Sequence, residues 1–289
     1  MHLPLHLIKF LPKVGFYMLV KSKKPNLFLF YAIAFGFAWL FWVPLALSEN
    51  GMLALPERVE DFLNDSSPAA WGPLIGAVIA IALSSGLGGV KDLIKRMFRF
   101  RFGFAWYLVC LILIPAIVWF SGIIAEWQGS ELPVSEAMAN PIAIPIAFLW
   151  IFFFGGPLQE EAGWRGVAAE GFQKRTSALV ASIIAGVLWG VWHLPLFYVP
   201  REEIYYNQPF LGLLASTVML SVLLVWVYNN TGRSLFAVML MHTSFNWSNY
   251  VFTSLQDDTG GLAYMILMFI TVVTVVIIAG PSKLTRSST

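Results

Sequence analysis

The stretch "GGPLQEEAGWRG", Gly155–Gly166, places two adjacent glutamates and an arginine at the end of a strongly apolar run. A charged residue at the centre of a membrane helix costs roughly 2.5–3.5 kcal/mol on insertion scales. Three unpaired charges would cost on the order of 8–10 kcal/mol, which is comparable to the stability of a whole domain. We therefore expect each of these charges to be paired, hydrated or functional.

The whole chain around this stretch is apolar. Of its 289 residues, 58% are hydrophobic and 12% are charged, whereas soluble domains carry about 25% charged residues. The composition predicts an all-α polytopic membrane protein, and the net charge of +2 gives no indication of nucleic-acid binding. The single cysteine, Cys110, lies in an apolar run and predicts neither a disulfide framework nor a thiolate metal cluster.

Eight runs are long and apolar enough to cross the hydrocarbon core, which takes roughly 20 residues as a helix. They lie at about 27–47, 69–90, 104–125, 142–162, 177–197, 211–229, 234–254 and 262–280. The sequence therefore predicts a bundle of eight transmembrane helices around an intramembrane polar site.

The basic residues predict the orientation of the bundle. With the N-terminus in the cytoplasm, 16 of the 18 basic residues fall on the cytoplasmic side, and Arg58 and Arg201 fall outside. Both termini are then cytoplasmic, in the plasma membrane if the source is prokaryotic; a re-entrant segment is the alternative. The chain divides into a cytoplasmic lead-in at 1–26, which could lie along the interface, a membrane domain at 27–280 and a cytoplasmic tail at 281–289.

Helical geometry separates the two glutamates. Residues four apart share a helix face, so Glu161 and Arg165 can form an ion pair. Glu160 is turned about 100° away and cannot share that partner equally well. The spacing predicts one neutralised, structural carboxylate and a second carboxylate, that of Glu160, which is available to accept a proton.

Glycine and proline shape the same stretch. The "GGP" at Gly155–Pro157 should bend or break the helix just before the glutamates. Gly163 and Gly166 should permit close approach of neighbouring helices.

Further polar side chains occur in two later spans. His193 lies in "WGVWHLP", and His242 and Asn246 are four residues apart, so the latter two share one helix face. Together with Glu160, these groups suit the activation of water: a carboxylate accepts a proton, an imidazole orients the water, and donors stabilise an oxyanion.

Less specific explanations compete with this one. A lone intramembrane histidine or asparagine commonly joins helices, and the glutamates would be ordinary interfacial charges if the fourth span ended near Leu158. Trp189, Trp192 and Trp247 suit packing or the interfacial aromatic belt better than a ligand cage. The joint occurrence of three polar clusters at helical spacing favours a shared site.

Three ordered motifs resemble the CPBP family of intramembrane endopeptidases, which includes type II CAAX prenyl endopeptidases and bacteriocin-processing or immunity-related proteins. "EEAGWR" at 160–165 matches its Glu-Glu-x-x-x-Arg motif, and "HTSFN" at 242–246 matches its His-x-x-x-Asn motif. Trp189 and His193 match its second motif, in which phenylalanine is usual at the first position; this departure should leave the role of the histidine intact. The resemblance covers roughly 140–255.

The resemblance implies an eight-helix membrane bundle with a conical cavity that cuts peptide bonds in or at the membrane. Glu160 and His193 would activate the attacking water, and His242 and Asn246 would stabilise the oxyanion. The rest of the first motif would support the site: Glu161 and Arg165. The partners would be the lipid bilayer and a membrane-associated peptide or lipoprotein, with a lipidated CAAX-like peptide among the candidates.

The role of a metal stays open at the level of sequence. Glu160, His193 and His242 could hold Zn²⁺ with water in the fourth position. The HExxH spacing of common zinc proteases is absent from the sequence, and the three ligands would come from three helices. We therefore favour a glutamate-activated water without a cofactor.

Straight helices would place the two histidines at different depths. His193 would lie roughly 27 Å along its helix from Arg175, and His242 only about 14 Å from Arg233. A tilt, an early start of the fifth span or the bend at Gly155–Pro157 must bring them together if they share a site.

Two other functional classes compete with a protease. One is a non-catalytic bacteriocin-immunity or scaffold protein of the same fold, against which the intact motifs argue. The other is a proton-coupled transporter, in which intramembrane glutamate and histidine would relay protons. The lack of a visible internal repeat argues weakly against a transporter.

Overall fold

The computed structural model describes residues 25–65, 68–206 and 208–285. Every regular element in these three ranges is helical, as the composition predicted. Residues 1–24 of the predicted lead-in and 286–289 of the predicted tail lie outside the described part.

Twelve α-helices, some of them short, are assigned within the described ranges. In chain order α1 to α12 are Leu27–Glu49, Glu57–Asp65, Gly72–Met97, Phe104–Trp127, Glu136–Ala139, Ala143–Phe154, Pro157–Gly163, Glu170–Gln173, Ala178–Trp192, Phe210–Asn230, Leu235–Val251 and Asp258–Ala279. A π-helix at Trp164–Ala169 joins α7 to α8, and a 3-10 helix at Leu194–Tyr198 follows α9.

Seven helical segments of the described ranges are long and apolar enough to cross a membrane. The helix predicted as the seventh span, α11, is also present but has 17 residues, slightly fewer than the roughly 20 that a straight crossing takes. Large apolar side chains face outward, for example Leu87 at 84%, Leu211 at 74% and Ile277 at 76% exposure. Such faces suit lipid rather than water, and the chain is an integral, multi-pass helical membrane protein.

One end of the bundle is joined by an ion cluster around Glu170 in α8. Arg96 of α3 donates to Glu170 Oε2 over 2.8 Å, and Lys174 lies 3.2 Å from Oε1. Arg233, just before α11, also contacts Oε2, and the hydroxyl of Tyr228 in α10 donates to it. Basic residues that the sequence assigned to one side of the membrane therefore meet at one end of the structure.

The first residues of the predicted tail pack against the same end of the bundle. The backbone N–H of Ala178, at the start of α9, donates to the carbonyl of Ser282 over 2.8 Å. Asn229 Nδ2 at the end of α10 donates to the carbonyl of Lys283 over 2.7 Å. The described part of the tail therefore continues the membrane domain.

Helices α1 and α9 are tied together by tryptophans. Trp39 Nε1 in α1 donates to the carbonyl of Trp192 over 2.9 Å, and Trp192 Nε1 in α9 donates to the carbonyl of Ala34 over 3.1 Å. Trp192 is 1% exposed. These bonds satisfy buried polar groups that lipid could not satisfy, and they join α1 to α9.

The predicted break in the fourth span is present. Helix α6 ends at Phe154, and α7 begins at Pro157 after Gly156, whose φ of 109° is open mainly to glycine. The helix then widens into the π-helical turn at Trp164–Ala169, a distortion that is frequent at functional sites. The motif residues thus lie between two departures from regular helix.

Gly163 allows α7 to approach α3 and α1 closely, as its position in the sequence predicted. A Cβ at this position would lie 2.7 Å from both Cβ and the carbonyl oxygen of Pro73, and 2.9 Å from Phe30 Cε2. Because backbone atoms cannot yield as the end of a flexible side chain can, the packing requires glycine here.

We expect Gly163→Ala to lower the free energy of unfolding by about 1–3 kcal/mol, the usual cost of overpacking a core. Gly36→Ala is the matched control, because a Cβ at Gly36 in α1 would meet nothing within 4 Å. The measurement is unfolding in mixed detergent micelles. Equal effects of the two substitutions would contradict the proposed close packing.

Candidate active site

The carboxylate of Glu160 is held by two indole groups. Its Oε2 accepts hydrogen bonds from Trp189 Nε1 at 2.6 Å and from Trp164 Nε1 at 3.2 Å. Glu160 is 5% exposed, and it faces away from the partner of Glu161, as helical spacing predicted. An indole N–H can only donate, so both contacts favour a carboxylate oxygen that accepts.

The neighbouring carboxylate, that of Glu161, links two helices. Its Oε1 accepts from Arg165 Nη1 at 2.9 Å, which confirms the predicted i,i+4 ion pair. The same oxygen lies 2.6 Å from His242 Nδ1 in α11. All three side chains are at most 2% exposed. Glu161 therefore neutralises the arginine and also fixes the orientation of the histidine ring.

Several atoms of this ion pair have no hydrogen-bond partner among the described residues: Glu161 Oε2, Arg165 Nε and Arg165 Nη2. The guanidinium lies over the ring of Trp189, with its Cζ 4.4 Å from the ring centroid. A cation over an indole face is stabilised by the ring quadrupole, which partly replaces the missing hydrogen bonds.

Trp189 is the point at which the three motifs meet. Its indole N–H binds Glu160 of the first motif, and its backbone carbonyl lies 2.9 Å from His193 Nδ1. Its ring packs edge-on against His242, with 5.1 Å between the ring centroids. Both histidines therefore contact the same tryptophan, although straight helices would place them at different depths.

His193 lies at the end of α9, between two aromatic rings. Tyr205 stacks on it at 5.6 Å and 22°, and Trp42 of α1 lies roughly parallel at 6.4 Å and 19°. Because a carbonyl only accepts, His193 Nδ1 must donate to Trp189. In the neutral ring the lone pair then belongs to Nε2, the nitrogen that can orient a water.

Asn246 lies beside the helix break. Its Nδ2 donates to the carbonyl of Gly155 over 2.8 Å. A Cβ at Gly156 would lie 2.6 Å from Glu160 Oε1 and 3.6 Å from Asn246 Nδ2. The missing side chain of Gly156 therefore lets Glu160 Oε1 lie close to the backbone there, while Oε2 is held by the indoles.

The structure brings all six predicted side chains close together, five of them buried and Asn246 half-buried. The direct contacts join Glu160 to Trp189, Trp189 to His193, and Glu161 to Arg165 and His242. Asn246 borders Glu160 through Gly156. What these residues do in catalysis stays a prediction.

Sequence reasoning missed the aromatic residues that complete the site. Trp189 was predicted as a packing residue, which its 3% exposure confirms, but no spacing signal indicated its hydrogen bond to Glu160. Tyr205 comes from the loop between α9 and α10 and carries no motif. Burial, followed by the nearby carboxylates of Glu160 and Glu202, raises the pKa of Tyr205 well above its usual range, so its phenol stays a donor.

The side chains named as zinc ligands do not form a ligand set. Among the residues described, no group of three histidine, cysteine, aspartate or glutamate side chains is arranged to hold a metal ion. Glu160 Oε2 is directed to two indoles, and His242 Nδ1 to Glu161. Within the described residues, Glu160, His193 and His242 are thus not arranged as a ligand set, and we derive no step through a metal.

A polytopic helical bundle with a buried glutamate–histidine cluster defines the class as a membrane protein with an intramembrane polar site. Residues 142–248 match the family model described as Type II CAAX prenyl endopeptidase Rce1-like. CAAX prenyl protease 2 of Methanococcus maripaludis is 27% identical over 200 residues, which cover 66% of this chain and 73% of that protein. Both comparisons agree with the resemblance to the CPBP/CAAX protease family that the three motifs carry.

We expect Arg165→Met to lower the free energy of unfolding by about 3–5 kcal/mol, because it leaves the Glu161 carboxylate buried with one partner fewer. Arg201→Met is the control: Arg201 pairs with Glu49 over 2.7 Å, but its side chain is 55% exposed. Exposed pairs contribute only about 0–1 kcal/mol. Unfolding in mixed micelles measures both variants, and a small effect of Arg165→Met would show that the pair is dispensable.

Proposed function

We propose that this chain is an intramembrane endopeptidase that hydrolyses a peptide bond of a membrane-associated peptide through a water activated by Glu160 and His193. A lipidated, CAAX-like peptide is the substrate suggested by the names of the family model and of the archaeal relative. The observation that carries the proposal is the meeting of the three motifs at Trp189, which contacts Glu160, His193 and His242.

The geometry supports a division of roles. Glu160 Oε1, which lies beside Gly156 and is not held by the indoles, would take the proton of the attacking water. His193 Nε2 would orient that water, because Nδ1 is engaged with the carbonyl of Trp189. The proton on Glu160 would then pass to the amine of the leaving peptide, as acid catalysis in the second half of the reaction requires.

Oxyanion stabilisation would come from α11. His242 Nδ1 is bound to Glu161, so a doubly protonated ring would direct its Nε2–H to the tetrahedral intermediate. Asn246 Nδ2 would supply a second donor when it exchanges the carbonyl of Gly155 for the oxyanion. Glu161 and Arg165 would act through His242, by fixing the orientation and charge of its ring.

The membrane setting follows from the same proposal. We place both termini in the cytoplasm, with the basic cluster around Glu170 at the cytoplasmic end, and the protein in the plasma membrane if the source is prokaryotic. The lipid bilayer is then both the solvent of the outer helix faces and the route by which an acylated or prenylated peptide arrives.

We expect Glu160→Gln to lower the rate of peptide cleavage by about 10²–10⁴-fold, the usual contribution of a general base. Glu136→Gln, on the exposed first turn of α5, is the matched control and should retain the rate. The assay follows a fluorogenic farnesylated CAAX peptide with purified protein in detergent. Cleavage that survives in Glu160→Gln and in His193→Ala would disprove the site, and an inactive parent protein would favour the non-catalytic alternative.

Chelation should leave the rate unchanged if the water is activated by the carboxylate alone. The purified protein is treated with a strong zinc chelator, dialysed and assayed on the same peptide, with and without added Zn²⁺. A loss on chelation that zinc restores would contradict the metal-free mechanism and leave the assignment of Glu160 intact.

A further inference from the structure

We infer that Trp189 is a positioning residue: its indole N–H holds Oε2 of Glu160, so that Oε1 is the oxygen that receives the proton from water. The inference rests on the proposed function, because it assigns a role relative to Glu160 as the base. It goes beyond that function by naming the group that determines which oxygen of Glu160 accepts the proton.

A carboxylate has two equivalent oxygens, and rotation of the side chain exchanges them unless the protein distinguishes them. Here Oε2 accepts both indole N–H groups, at 2.6 Å from Trp189 and 3.2 Å from Trp164. Oε1 lies beside Gly156, where a Cβ would come within 2.6 Å of this oxygen and 3.6 Å of Asn246 Nδ2. The two oxygens therefore have different surroundings, and the shorter bond is the one from Trp189.

Trp189 is itself held firmly enough to act as a support. It is 3% exposed, its ring lies under the guanidinium of Arg165 at 4.4 Å, and its backbone carbonyl binds His193 Nδ1. The same residue thus fixes the orientation of the proposed base and that of the proposed water-orienting histidine. An indole donor has no second proton state near neutral pH, so it positions the carboxylate without competing for the proton.

Phenylalanine at this position would keep an aromatic ring against Arg165 and His242 but would have no donor for Glu160. The bond at stake joins a buried donor to an ionised acceptor, a type that is roughly twice as strong as a neutral hydrogen bond. Its loss should lower kcat about 10- to 100-fold and leave KM within about twofold, because the indole N–H is engaged with Glu160 and acts through it.

Trp192→Phe is the matched control. Trp192 lies on the same helix and is 1% exposed, but its indole N–H donates to the backbone carbonyl of Ala34 in α1. Both substitutions remove one buried indole donor and the same volume. A loss of stability alone would affect both variants, whereas a fall in kcat at unchanged KM should be confined to Trp189→Phe and should leave Trp192→Phe within about threefold of the parent protein.

Indole ¹⁵N–¹H NMR of tryptophan-labelled protein in micelles tests the contact without reference to activity. The cross-peak that disappears in Trp189→Phe should move in Glu160→Gln, while the cross-peak that disappears in Trp192→Phe should stay in place. If the chemical shift of the Trp189 cross-peak does not change in Glu160→Gln, the inference is wrong, whether or not the protein cleaves the peptide.

The kinetic outcomes separate the two proposals. If Glu160→Gln is inactive but Trp189→Phe retains the kcat of Trp192→Phe, the positioning role is wrong and the protease proposal stands. If Glu160→Gln cleaves as fast as the parent protein, the proposed function fails, and the inferred role of Trp189 fails with it.

Discussion

The structure depends on the neutralisation of a buried arginine inside an apolar bundle. Arg165 is paired with Glu161 one helical turn away, and the same carboxylate oxygen binds His242 from α11. In a medium where an unpaired charge costs several kcal/mol, this shared oxygen is what permits a cation in the fourth span at all. It also couples α7 to α11, so that the electrostatic requirement determines which two helices meet at the site.

Because Glu161 and Arg165 satisfy each other, Glu160 need not be a counter-ion. Its surroundings are neutral donors, the indoles of Trp164 and Trp189, rather than a second cation. A carboxylate that is strongly paired with a cation accepts a proton poorly. A carboxylate that is held only by neutral hydrogen-bond donors can still accept one. Adjacent glutamates with different partners are therefore a way to place a structural anion and a proton acceptor on the same helical turn.

The two glutamates lie between two departures from regular α-helix. The break at Gly155 and Gly156 ends α6 just before the glutamates, and the π-helix at Trp164–Ala169 follows them. Gly163 allows α7 to lie against Pro73 of α3 at a distance that no side chain would permit. Glu160 Oε1 can lie this close to the backbone at residue 156 only because Gly156 lacks a Cβ, which would come within 2.6 Å of that oxygen.

The sequence was sufficient for features that follow from local periodicity. Apolar runs predicted the helical bundle, the four-residue spacing predicted the Glu161–Arg165 pair, and "GGP" predicted the break. The bond between His242 and Glu161 joins residues 81 positions apart, and that between Trp189 and Glu160 joins residues 29 apart. Helical spacing gives no information on such contacts, because they depend on how separate helices tilt and pack.

Tyr205 shows the same limit in a loop. No periodicity applies between α9 and α10, so its position over His193 follows only from the fold. The Tyr205 ring stacks on the imidazole, and the Trp42 ring lies roughly parallel to it, so both rings lie along the faces of the imidazole rather than at its edge. Since Nδ1 on that edge is occupied by the carbonyl of Trp189, Nε2 is the one ring nitrogen that a reactant can approach. Aromatic packing, rather than any polar motif, thus determines how His193 can take part in chemistry.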